Sequence, residues 1–455
     1  MKAQRWIGWL VILTTIGCSN PTPPPPIPPT GTGPQPSPGA SSSPTSAASP
    51  GAESARTEPA APPTTAAPAD KLPRLAIEEF FVLPAANGTS DEKLSVDEIQ
   101  KMLDDPKNHE PLVPESPVGL GDVASFIPAD NPMTRAKVEL GRMLYFDKRL
   151  SRDSSVSCAS CHDPAAGWAQ NTPVAAGIDG QKGGRNSPTV MNRIFGDKSK
   201  NTTQFWDGRA ASLEEQALGP IQNPIEMGFT LDELVERLNG IDGYRLCFEK
   251  IFGKVSSDGI AKSIASFERT VLVAGSPFDY YAQAEPFRKL TKEDLEGNPE
   301  LAAKAKQLIA AADAHALSEA AERGRVLFFG KAECKTCHVG ANLADEAFYN
   351  IGVGVEGDNV DSGRKEVTKA DKDTGAFKTP TVRNVALNAP YMHDGSQKTL
   401  MEVVEHYAKG GTPNPHLSNR IKKLDLSDAE KSDLVAFMEQ GLTGPMPKIE
   451  APRLP

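Results

Sequence analysis

The sequence predicts a mainly α-helical protein with two domains of one type in tandem, preceded by an export segment and a disordered linker. Three observations predict it. A Cys-x-x-Cys-His motif occurs twice, at residues 158–162 and 334–338. Each copy follows a run whose apolar residues recur at three- and four-residue intervals, 136–146 (AKVELGRMLYF) and 317–329 (LSEAAERGRVLFF). That is the period of a helix buried on one face. Strand-like runs are few.

The N-terminus reads as an address. Lys2 and Arg5 precede a mostly apolar stretch, 6–16, too short for a comfortable transmembrane helix. This is the layout of a secretory signal, here residues 1–18. It ends in Thr15-Ile16-Gly17-Cys18, which resembles a bacterial lipobox with threonine in place of the usual leucine, so Cys18 is a candidate for lipidation. An ordinary cleaved signal is the alternative. Ser19 suits sorting to an outer membrane. Residues 19–75 read as a tether, since 16 of the 40 prolines fall between Pro21 and Pro68 among Ser, Thr, Ala and Gly. Such a composition cannot offset the entropy of ordering. Residues 76–117 are expected to be a weakly structured lead-in with a helix over 95–103. No other segment is apolar enough to reach a membrane, which excludes a multi-spanning protein. The 455 residues carry a net charge of −10, which argues against a nucleic-acid partner.

The two motifs carry the chemistry. Cys158 and Cys161, and likewise Cys334 and Cys337, are thiols one helical turn apart that can add across the two vinyl groups of haem. His162 and His338 then face the iron from the same side as proximal ligands. A zinc ribbon would bring its Cys-x-x-Cys pairs close together, yet 176 residues separate His162 from His338. A redox motif would not need histidine after both copies. The separation assigns one covalent haem c to each of two cytochrome c-type domains, 118–300 and 301–447, with a tail at 448–455. Residues 427–438 (SDAEKSDLVAFM) read as the closing helix of the second. Cys247 reads as a small buried apolar residue.

Several segments together resemble the bacterial di-haem cytochrome c peroxidase family, including its MauG-like branch, over residues 131–443. They are LGR at 140–142, FD at 146–147, RLS at 149–151, SVSC at 155–158, GRNSPT at 184–189, QFWDGRA at 204–210, NPIEM at 223–227, FKTPTVRN at 377–384 and APYMHDG at 389–395. The resemblance implies peroxide reduction at the first haem with electrons from a small cytochrome c or a cupredoxin, on the periplasmic side, and is consistent with a homodimer. It makes Trp206 an electron conduit between haems, Gln216 and Glu226 distal groups, Pro220 a pocket proline and Asn186 a ligand of a calcium ion. Without the resemblance, Trp206 is a core or interface aromatic and Glu226 a solvated carboxylate after Pro224. The chemistry agrees with the distal role: splitting peroxide needs a group that takes a proton from one oxygen and delivers it to the other. A carboxyl in an apolar pocket has the proton affinity to do both.

Two departures from the family pattern bear on mechanism. Many members close the first haem with a displaceable histidine in a Gly-His-Gly loop; here the region reads Ala176-Gly177-Ile178-Asp179-Gly180, and no histidine lies between His162 and His315. An open first iron follows, with His109 the one remote substitute. The family methionine that serves the second haem is replaced by Ala376. Met392 is the first choice there, with Met401, His393, Tyr391 and His406 as alternatives. Two other functions compete with peroxide reduction: MauG-like oxidation of a protein or peptide residue, and electron transfer without turnover. The second of these has no use for Gln216 and Glu226.

Overall fold

Two helix crossings of similar build occur, one in each half of the described chain. The computed structural model describes residues 71–86, 93–197, 203–356 and 359–455. In the first half the Arg135–Phe146 helix, capped by Thr134, packs against the Ser257–Glu268 helix. In the second half the Glu319–Phe329 helix, capped by Ser318, packs against Asp428–Ala436. A glycine permits each crossing. A Cβ on Gly141 would sit 1.9 Å from the Ser263 carbonyl oxygen and 2.8 Å from Phe267 Cβ. On Gly324 it would sit 1.9 Å from the Asp433 carbonyl oxygen and 2.8 Å from Phe437 Cβ. The aromatic one turn on from each glycine then meets the same phenylalanine, Tyr145 on Phe267 with centroids 5.0 Å apart and Phe328 on Phe437 at 5.4 Å.

Each crossing seeds its own core. The first collects Tyr145, Trp168, Phe248 and Phe267 with the Leu213–Gln222, Leu231–Asn239 and Asp242–Phe252 helices. Cys247 is fully buried there. The second, smaller core holds Phe328, Leu400, Val404, Leu434 and Phe437. A helical hairpin, Pro277–Arg288 against Pro299–Ala314, straddles the 300/301 division, and its Phe278 stacks on Phe329 of the second core at 5.2 Å. The closing helix begins at the Ser427 capping box and runs on through a wider turn over Phe437–Gly441. Strands among the described residues are three two-residue ladders, one of them pairing Phe348–Tyr349 antiparallel to Phe377–Lys378.

The lead-in is more ordered than its composition suggests. Its helix is Val96–Asp104 with a Ser95 capping box, and Phe80, Leu94, Ile99 and Leu103 belong to the first core. Order reaches into the expected tether, because Arg74–Leu75 pairs with Val113–Pro114. The cause is non-local. The buried pair Glu139–Arg142 accepts the Leu83 N–H (2.6 Å) and donates to the Leu83 carbonyl (2.8 Å) and to the Glu450 carbonyl (3.0 Å). The tail is held as well: Leu94 N–H donates to the Leu454 carbonyl and Ala86 N–H to Ala451. Cys18 and residues 1–70 lie outside the described residues.

Candidate functional site

Each Cys-x-x-Cys-His motif opens onto a cavity. The first, of about 420 Å³, is lined by Cys158, Cys161 and His162 together with Gln216, Pro220, Asn223 and Glu226. The second, of about 180 Å³, is lined by Cys334, Cys337 and His338 and by an apolar wall that includes Leu400, Val404 and Leu434. Both histidines have one ring nitrogen engaged by backbone. His162 Nδ1–H donates to the Pro188 carbonyl at 2.9 Å and His338 Nδ1–H to Leu343 at 3.1 Å. Each bond fixes the tautomer that leaves the Nε2 lone pair available for metal. Burial pushes His162 down to about 4 and lowers His338, so both imidazoles are neutral. Two thiols, a neutral imidazole and an apolar cavity are the donor set and the space that a covalent haem needs, and this chain provides them twice.

Trp206 lines both cavities. Its indole N–H donates to the Asn186 carbonyl at 2.8 Å, and its own carbonyl accepts the Lys378 N–H at 2.8 Å. It is thereby tied to both halves. The next residue, Asp207, is 4% exposed and takes Arg185 at 2.7 Å and Arg209 at 2.9 Å. Arg185 also forms a two-point pair with Asp361 of the second half. Beneath this chain Glu346 is buried between Arg193 (3.2 Å) and Lys378 (3.1 Å), whose charges hold its carboxyl down to about 2 against the cost of burial.

Glu226 follows the Leu213–Gln222 helix in a tight loop, where Asn223 Nδ2 donates to its Oε1 at 2.7 Å. Burial raises its carboxyl above the ordinary glutamate value, opposed by the charge of Arg209 and by the Asn223 bond. The first cavity thus has a half-buried acid, an amide and a cation in the same wall as His162.

A family model described as di-haem cytochrome c peroxidase matches residues 135–286. The methylamine utilization protein MauG of Methylorubrum extorquens is 37% identical over 331 residues, 72% of this chain and 84% of that protein. The cytochrome c551 peroxidase of Pseudomonas aeruginosa is 37% identical over 334 residues, 71% of this chain and 83% of that protein. The chain belongs to the di-haem cytochrome c peroxidase family. As a member it is a peroxidase-type oxidoreductase, and the family implies two c-type haems. A solved MauG-like protein associated with microbial copper homeostasis is 32% identical, with a TM-score of 0.57 over 70% of this chain and 92% of that one. The di-haem peroxidase BthA of Burkholderia thailandensis, at 19% identity and a TM-score of 0.56 over 71% of this chain and 91% of that one, shares the fold.

Within this di-haem peroxidase the departures have structural causes. Ile178 is fully buried and its N–H donates to the Glu226 carbonyl at 2.9 Å, while a Cβ on Gly177 would come within 2.0 Å of the Ile225 carbonyl oxygen. The loop is sealed against the acid's own loop, and Ile178 is absent from the cavity wall. His109 Nε2 is engaged with the Leu103 carbonyl at 2.8 Å. Among the described residues His162 is the one histidine lining the first cavity.

At the second cavity Met401 and His406 are not on the wall, and His406 Nε2 is engaged with the Ile351 carbonyl at 2.8 Å. His393 lines it but stacks on Phe377 at 3.6 Å; its Nε2 is buried without a partner and lies 3.2 Å from where a Gly354 Cβ would sit. Met392 and Tyr391 stand where the two cavities meet, lining both. Asn186 gives its amide to the Thr172 and Pro173 carbonyls and its own carbonyl to Trp206. Among the described residues no group of three His, Cys, Asp or Glu could hold a metal ion, and no helix is long and apolar enough to cross a membrane. Arg209, Asp207 and Arg185 were missed as site residues. All three lie in the quoted GRN and WDGRA segments, but nothing along the chain shows that both arginines share one aspartate.

Proposed function

We propose that this di-haem peroxidase reduces hydrogen peroxide to water in the first cavity, using electrons that enter at the second from a small cytochrome c or a cupredoxin. One observation carries the reading: Trp206 lines both cavities, whereas Glu226 and Gln216 line the first alone. Cys158, Cys161 and His162, and likewise Cys334, Cys337 and His338, would each hold a haem c, which would supply the redox-active iron. The residues do the rest. Ionised Glu226 takes the proton from one peroxide oxygen and, as the acid, returns it to the other. Its raised proton affinity suits both steps. Gln216 orients the peroxide by hydrogen bonding. Trp206, fixed by Asn186 and Lys378, passes electrons between the cavities.

Met392 is the side chain that would join His338 in holding the second iron, with Tyr391 the competitor on the same wall. A calcium ion at Asn186 would act on the residue whose carbonyl holds the conduit's indole. Export with a lipid on Cys18 and the linker as spacer would place the enzyme on the periplasmic side of a membrane. Electron transfer without turnover is disfavoured by the acid, amide and cation gathered in the first cavity.

The test is peroxide turnover by the ferric, never pre-reduced protein with reduced cytochrome c as donor. Turnover without a lag, with one high-spin and one low-spin ferric haem at rest, is the expected result. Two low-spin haems, or a lag abolished by pre-reduction, would overturn the open-site reading. The 37% identity to MauG also favours a second reading, oxidation of a protein residue. Oxidising equivalents that outlast an added cytochrome donor and are consumed by a protein partner would select it.

A further inference from the structure

An electron that reaches the second cavity must first cross from the protein surface. The second cavity has three tyrosines in its wall, Tyr349, Tyr391 and Tyr407. Tyr349 is the one whose hydroxyl donates to a carboxylate, Asp345 Oδ2 at 2.8 Å. Its backbone pairs with Phe377, one residue before the Lys378 N–H that binds the Trp206 carbonyl. On its other side is exposed Arg420, whose guanidinium carbon lies 4.7 Å from the ring centroid and whose Nη1 is 3.7 Å from Asp345 and 3.9 Å from Cys337 Sγ. Tyr349 therefore lines the second cavity and at the same time packs against solvent-exposed Arg420, which itself reaches Cys337.

We propose that Tyr349 is a redox-active tyrosine, with Asp345 as its proton acceptor, through which external electrons enter the second cavity. The neighbours dictate how it must work. A cation over the ring opposes formation of a positively charged ring radical. Oxidation of Tyr349 must therefore release the phenolic proton with the electron. Asp345 is already hydrogen-bonded to take it. The O–H bond breaks, the proton moves to the Asp345 carboxylate, and one electron leaves toward the second cavity; the products are a neutral phenoxyl and a protonated Asp345. That electron is one of the two that, with two protons, reduce hydrogen peroxide to two waters. An external reductant then returns one electron to the phenoxyl while Asp345 returns the proton. Because the proton never leaves the pair, the port suits a pure one-electron reductant rather than a hydrogen-atom donor. Arg420 and Lys422, both on this wall, favour one with an acidic face. The relay rests on the peroxidase reading for its natural oxidant.

The experiment mixes the ferric holoprotein with peroxide, without donor, and freezes it for electron paramagnetic resonance. The expected signal is a tyrosyl radical that narrows when tyrosine is ring-deuterated. Tyr349→Phe should keep both haems and lose that signal, and turnover with ferrocyanide as a purely one-electron donor should fall several-fold. Asp345→Asn should lower the radical yield while Tyr349 remains. A parallel arm oxidises the protein with a photogenerated ruthenium(III) complex, which needs no peroxide chemistry. A tyrosyl signal that persists in Tyr349→Phe, or no tyrosine-derived signal from the wild type in either arm, would overturn the relay. If peroxide leaves the ferric spectrum unchanged while photo-oxidation still yields the Tyr349 signal, the relay stands and the peroxidase reading fails.

Discussion

The two cavities are built on one plan and finished differently. Both have a glycine-permitted helix crossing, two thiols, and a histidine whose Nδ1 is fixed by a backbone carbonyl. The first is the larger, about 420 Å³ against about 180 Å³, and adds Glu226, Gln216 and Arg209 to its wall. The second is lined largely by apolar side chains, with Tyr391 and Met392 shared with the first. The difference teaches that attachment chemistry does not set the task of a haem site. A site that must move protons needs a titratable group in a poorly solvated space. A site that only stores an electron needs apolar walls and a tuned axial ligand.

The largest expected effect breaks the symmetry at the iron. His162→Gly should abolish reaction of the ferric protein with peroxide, whereas His338→Gly should leave a single stoichiometric reaction and stop donor-dependent turnover. Stopped-flow spectra with and without donor check this, and equal loss in both variants would mean that the cavities do not divide the work. Next is the acid. Glu226→Gln should slow peroxide cleavage by roughly 10²–10⁴-fold, the usual worth of a general acid–base group. The wild-type rate should also fall as pH drops through the carboxyl's raised value, above the ordinary 4.5, because the ionised form accepts the first proton. That limb should be missing from the Gln variant's pH–rate profile.

A third effect concerns the seam between the halves. Glu346 has its folded value depressed to about 2. Its contribution to stability is therefore fully present above its ordinary value of 4.5 and is lost as pH falls from there through about 2. Glu346→Gln should remove that acid-side loss and destabilise the protein at neutral pH by about 3–5 kcal/mol, the cost of breaking a buried ion pair. Urea melts at pH 7 and pH 3 read both. The smallest effect tests the shared plan. Gly141→Ala and Gly324→Ala should each cost about 1–3 kcal/mol through overpacking, or more if the crossing cannot shift. Matched losses in thermal melts would mark the two crossings as equivalent, and a silent variant at either position would break the parallel.

The sequence by itself determined the two Cys-x-x-Cys-His motifs, the helices that precede them and the family. The reason is locality: the thiols and histidine of each motif lie within five consecutive residues, and a helix period needs only its own neighbours. The absence of a histidine near Ile178 was legible for the same reason. What only the tertiary structure decided is which distant residues meet. It brought Glu226, Gln216 and Arg209 to one cavity and tied Trp206 to both halves. It joined Arg185, Asp207 and Asp361 into one chain of charges. It also ordered a lead-in that composition had marked as weak, through a Glu139–Arg142 pair that grips its backbone and the tail. Buried charges and carbonyls take whatever partners folding delivers from far along the chain, and their pairing follows from the requirement that each buried polar group be satisfied. That requirement acts only on the packed chain, so it leaves no local trace in the sequence.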